Sequence, residues 1–182
     1  DNGSETEIVL DGTSVKSINS DLTSTLDVRQ AKQLTENDKV SLQGINKVGD
    51  FDIDASTAKK MLQRKNSSGL SNSDVIKQLL NGKDVVQRAS HRWIIDFGIE
   101  RDESKVAKYK APYEYIKEHV YPTRSQNARS SRANNWWLFG EPVPRLRPLL
   151  ASLTRYIVTP NVAKHRIFVF VDKKIIPDHR LI

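Results

Sequence analysis

Trp136-Trp137-Leu138-Phe139 is the run that most limits how this chain folds. Four large apolar side chains in succession cannot all face water, so two or more elements must close around them. If exposed, the two indoles would be stacking platforms for bases; if buried, they anchor a core. The length of the run favours the core. Trp93, inside His91-Arg-Trp-Ile-Ile-Asp-Phe-Gly98, is assigned to the core on the same grounds.

Around this run the pattern predicts an α+β fold, a mixed or antiparallel sheet flanked by helices. Glu7–Leu10 reads as a short strand with no obvious partner, and residues 14–35 as a polar connection with one short helix around Asp27–Gln33. Two glycines in Ser41–Asp50 suggest a strand and a tight turn. A helix opens at Asp54 and runs to about Lys65, with Ala58, Met61 and Leu62 buried and Asp54 or Ser56 as cap. A second helix is expected over Asp74–Leu80, capped by Ser73 and ended by Asn81-Gly82. His91–Gly98 reads as a central strand. Glu103–Val120 is the best helical stretch, with Pro112 expected to kink or split it and Pro122 to end it. Pro144–Leu153 should be helical, and Arg155–Thr159, Arg166–Val171 and Asp178–Ile182 should be strands.

Charge separates the two ends of the chain. Residues 1–54 hold 11 acidic and 5 basic side chains, a net of −6, so the remaining 128 of the 182 residues carry +13 within the overall +7. Such a distribution favours a polyanionic partner for the later part. Arg124, Arg129, Arg132, Arg145 and Arg147 face a single acid, Glu141, and suit phosphate contact; the alternative is a solvated charged segment. Lys164-His165-Arg166 enters the apolar strand Ile167–Val171 just after Thr159-Pro160-Asn161. Alternation puts Ile167 and Val169 on one face and Phe168 and Phe170 on the other, with both faces expected to be covered. Polar groups at the start of that strand would sit at the sheet's rim, with Asp178-His179-Arg180 beside them. Asn161, Lys164, His165, Arg166, His179 and Arg180 are therefore the candidates for reading base edges; ordinary strand-end polarity is the competing explanation.

Enzymatic readings find little support. The histidines at 91, 119, 165 and 179 lack metal-ligand spacing, and there is no cysteine. Asp96-Phe97-Gly98 matches three letters of a kinase signature without its companions. Asp172-Lys173-Lys174 with Asp178 is a weak hint of a nuclease. No apolar run approaches the length of a membrane helix, and a cytoplasmic protein fits the absence of cysteine.

Taken in order, Gly44…Val48-Gly49 with Phe51, Ala55–Gln63, Val75–Gly82 with Asp84 and Val85, Arg92–Gly98, Tyr113–Val120 with Pro122, Trp136–Phe139, Tyr156–Pro160, Val162–Arg166 and Phe168-Val-Phe170 carry a resemblance. The series is similar to the target-recognition domain of bacterial fused restriction–modification enzymes of the MmeI type. It also resembles the specificity domain of TaqI-like DNA adenine methyltransferases. The resemblance covers roughly residues 40–182 and implies a DNA-reading domain there. Residues 1–40 would then be an acidic, partly disordered junction from an upstream domain, and the chain a piece of a longer polypeptide, truncated at its C-terminal end.

The resemblance implies that an upstream methyltransferase domain of the same polypeptide binds S-adenosylmethionine and methylates adenine N6 through an Asn-Pro-Pro-Tyr motif. That motif does not occur in this chain. The expected role is thus non-catalytic and cofactor-free: gripping double-stranded DNA and reading a short sequence for the neighbouring domain. A single-stranded DNA or RNA binder using Trp stacking is the alternative, and a stand-alone nuclease the least favoured one.

Overall fold

Asp11-Gly12 turns the chain back on itself near its start. Both residues have positive φ (49° and 77°), the conformation of the hairpin turns that Asp-Gly favours. Ile8–Leu10 (β1) and Thr13–Val15 (β2) therefore pair antiparallel, Ile8 opposite Val15. The strand expected at Glu7–Leu10 does have a partner, and the missed signal was the Asp-Gly pair between the two. The computed structural model describes residues 7–26, 31–32, 34–38 and 40–182. The helix expected around Asp27–Gln33 falls largely outside them, as does part of the junction, residues 1–40, expected to be partly disordered. The chain divides into two compact units, Asp1–Val40 and Ser41–Ile182.

The second unit is organised by Arg92–Ile95 (β5), whose Ile94 and Ile95 are fully buried. Asp52–Ile53 (β3) and Ile76–Leu80 (β4) pair antiparallel on either side of it, and Ile175–Pro177 (β8) adds parallel to β4. The order is β3-β5-β4-β8, a mixed sheet with β5 inside, as the sequence predicted. Arg155–Val158 (β6) and Val169–Asp172 (β7) form a separate antiparallel pair.

Helix α1, Ala55–Gln63, starts where the sequence places it because the Asp54 carboxylate accepts the Ser56 and Thr57 amides (2.8 and 3.0 Å). Its far end is closed by the buried Asn72, whose amide donates to the carbonyls of Met61 (2.7 Å) and Arg64 (3.2 Å). Residues 76–80 are a strand rather than the expected helix. Ile76 and Leu79 are buried three residues apart, which imitates a helical face, but pairing with both β5 and β8 holds them extended. Asn81 consequently opens a helix instead of ending one. Its Oδ1 accepts Lys83 and Asp84 amides, Asp84 Oδ2 accepts the Asn81 amide, and Gly82–Val86 (α2) follows.

The long helical stretch splits into Glu103–Val106 (α3) and Lys110–His119 (α4). Pro112 occupies the first turn of α4, where no amide hydrogen is required. Pro122 is not the predicted terminator: for the same reason it sits in the first turn of Tyr121–Arg124 (α5). Ser130–Asn134 (α6) follows, and Leu146–Ser152 (α7) is the helix expected at 144–153.

Trp136 and Trp137 are each only 4% exposed. Their rings meet edge to face at 5.7 Å, and Trp137 Nε1 donates to Glu100 O (2.8 Å). Phe51 meets Phe139 in the same way at 5.0 Å. The indoles are scaffold, and the alternative of exposed tryptophan platforms is overturned. A smaller cluster, Val158, Val171 and Leu181 with Leu80, Val85 and Val169 against it, lies under the β6–β7 pair.

Candidate nucleic-acid interface

After β6 the chain turns at Thr159-Pro160-Asn161 and meets residues 180–182. Thr159 and Ile182 exchange backbone hydrogen bonds (2.9 and 3.0 Å), Asn161 N donates to Arg180 O (2.9 Å), and Pro160 faces Leu181 antiparallel. The expected strand at Asp178–Ile182 is thus a short edge: regular pairing ends at Pro177, and Asp178–Leu181 form a turn closed by Leu181 N on Asp178 O. The buried Asp178 carboxylate accepts the Arg180 amide (3.1 Å), and His179 Nδ1 lies 3.3 Å from it without forming a hydrogen bond. Gly44 runs so close beneath that any Cβ there would collide with the carbonyl oxygens of Pro177 and Asp178.

This pairing brings Asn161, Arg166, His179 and Arg180 together. The Asn161 amide donates to His179 O (3.0 Å), so its side chain clasps the two segments. Arg166 Nη1 donates to Pro160 O (2.8 Å) while the residue remains exposed, and a guanidinium carries five N–H donors. Arg180 is exposed, His179 is half-buried, and Lys164 and His165 are exposed on the loop leading to β7. The corner presents cationic side chains to solvent over a packed base.

The arginines of the 122–147 tract do not form one face. Arg124 is buried, 3% exposed, with Nη1 on Val48 O (2.8 Å) and Nη2 on Leu138 O (2.7 Å). Burial pulls its pKa down, and the neighbouring Arg132 adds to the effect. It fastens the tryptophan segment and is unavailable to phosphate, which corrects the expectation. A helical signal was present: Ile116, Val120 and Arg124 follow at four-residue steps, and the first two are buried. Arg147 is a second correction. It forms a two-pronged ion pair with the buried Asp96 (2.8 and 2.9 Å), whose carboxylate also accepts the Gly98 amide (2.8 Å). Asp96-Phe97-Gly98 is therefore a structural turn. Arg132 lies 3.9 Å from Glu141 and is half-buried, whereas Arg129 and Arg145 are exposed.

Sequence reasoning also missed an open face. Phe168 and Phe170 are 67% and 60% exposed, so only one side of β7 is covered, against the expectation for both. Val169 and Val171 pack on the inner cluster, and among the described residues no element lies over the phenylalanines to bury them. Arg155 stacks its guanidinium 4.2 Å from the centre of the Phe170 ring. Among the described residues, no three His, Asp or Glu side chains gather where they could hold a metal, and no helix is long and apolar enough to cross a membrane.

No protein-family model matches this chain, and no curated protein does. Among solved structures, the type IIL restriction-modification enzyme MmeI in complex with DNA is similar over 93% of the chain, with a TM-score of 0.53 and 18% identity. The chain spans 22% of the length of that protein, and at this identity the likeness is one of fold.

Proposed function

We propose that this chain is the target-recognition part of a restriction–modification DNA adenine-N6 methyltransferase, reading a short duplex sequence for a catalytic domain elsewhere in the same protein. The observation that carries this reading is the clasp between Thr159–Asn161 and Arg180–Ile182, which gathers Arg166, His179 and Arg180 at one open corner beside Lys164 and His165. Arginine and lysine at such a rim are suited to guanine edges and to phosphates. The fold likeness to a segment of MmeI, whose solved structure contains DNA, supports the same reading. Arg129 and Arg145 are the exposed candidates for the DNA backbone from the central tract. In this division of labour the chain itself holds neither S-adenosylmethionine nor a catalytic group.

The test is a segment exchange. Residues 41–182 replace the corresponding segment of a related methyltransferase, and methylated sites are mapped by sequencing. A new methylated sequence is expected, and an unchanged one would sink the proposal. In the same background, Arg166→Ala and Arg180→Ala should each cost about 1–3 kcal/mol of discrimination at one base pair.

A further inference from the structure

The face of β6–β7 that points away from the inner cluster carries Ile157 directly opposite Phe170, and Arg155 opposite Asp172. Phe168 lies immediately before β7, two positions ahead of Phe170, and is likewise exposed. Ile157, Phe168 and Phe170 are 52%, 67% and 60% exposed, a concentration of apolar surface that a soluble chain ordinarily covers. Its surroundings are cationic. Between Arg155 and Lys174 the chain holds five lysines and arginines and one acid, Asp172. Interfaces with proteins are depleted of charge at their centres, whereas surfaces that hold nucleic acid combine aromatic rings with cations along the backbone path.

We infer that this face is a nucleobase contact, in which Phe168 and Phe170 lie against, or wedge between, bases of bound DNA while Arg155 and Lys174 meet the adjoining phosphates. The inference rests on the DNA-binding reading above and adds a second element to it. Arg155 already covers part of Phe170 with a planar cation, an arrangement that offers the ring edge and the guanidinium to the same ligand. Every base has a flat face, so such a contact is tolerant of sequence. The face therefore contributes grip, and the Asn161–Arg166 and His179–Arg180 corner contributes choice. Wedging apolar side chains into a base step also unstacks it, a distortion that would be local to the duplex beside this face.

The experiment uses the purified chain, fluorescein-labelled duplexes of the cognate and an unrelated sequence, and duplexes with 2-aminopurine at successive positions. At low salt the wild type is expected to raise 2-aminopurine emission at one or two adjacent positions. The double variant F168A/F170A should abolish that rise and weaken binding to both sequences by about tenfold or more, leaving the ratio between them unchanged. F168L/F170L, apolar but without rings, should also weaken binding, because stacking needs an aromatic face, while keeping part of the 2-aminopurine rise, because leucine can still wedge. Phe168 and Phe170 are both exposed, so the emission of the buried Trp136 and Trp137 should stay at its wild-type position in either variant and certify the fold.

Wild-type binding by either double variant overturns the inference while the recognition reading stands. Sedimentation that shows the wild type dimeric and F168A/F170A monomeric without DNA overturns it as well, because the face would then join two copies of the chain. Absence of any duplex binding by the wild type removes the recognition reading, and the inference falls with it.

Discussion

Arg124 and Arg129 stand five positions apart in one arginine-rich stretch, and folding gives them opposite work. Arg124 bridges the carbonyls of Val48 and Leu138 from inside the molecule, and Arg129 faces water. Arg124→Ala would leave two carbonyls without their charged donor and should cost about 2–4 kcal/mol. Lysine should not restore it, because one ammonium lacks the planar fork that reaches both oxygens. Arg129→Ala should stay within about 0.5 kcal/mol of wild type. Urea unfolding followed by tryptophan emission measures all three, and equal midpoints for the two alanine variants would contradict the buried role. Composition shows that the stretch is basic without showing which guanidinium is inside, since that depends on which carbonyls other segments bring near. Asp96 and Arg147 make the same point, as partners 51 positions apart.

The elements that sequence patterning placed correctly carry their own boundary chemistry. The Asp54 cap of α1 is local, as is the apolar run of β5, and neither needs a distant partner to be recognised. Residues 73–82 went the other way: a serine, an aspartate and apolar residues three apart read as a helix, yet two flanking strands make β4. The capping box after β4 leaves a pH signature. Burial acts to raise the pKa of Asp84, but hydrogen bonds from the Ser90 hydroxyl and from the Asn81 and Ser90 amides outweigh it and hold the carboxyl below its ordinary value. The resulting stabilisation is complete above the ordinary aspartate pKa near 4. It is lost as the pH falls through the lowered folded value. Asp84→Asn should therefore destabilise the protein at pH 6, by a deficit that shrinks as the pH falls below about 4. Urea midpoints at pH 6 and in acid provide the check, and a deficit that does not shrink at all would count against this role. Asn81→Ala should cost about 1 kcal/mol at either pH.

For the whole molecule, Ser41–Ile182 closes both hydrophobic clusters with its own residues. A fragment of residues 41–182 should accordingly keep a cooperative thermal transition and the blue-shifted emission of Trp136 and Trp137. Duplex DNA should leave that emission nearly unchanged, because the rings are enclosed; strong quenching by oligonucleotide would contradict the scaffold assignment. Sequence by itself determined the α+β class, the enclosure of the Trp-Trp-Leu-Phe run, the central strand and the capped first helix, because burial of large apolar area and hydrogen bonding to adjacent amides act over a few residues. Tertiary structure alone decided that β4 is a strand, that Arg124 and Arg147 turn inward, and that Phe168 and Phe170 stay open. Each of those outcomes depends on which distant segment arrives, or fails to arrive, against a face that the local sequence can only offer.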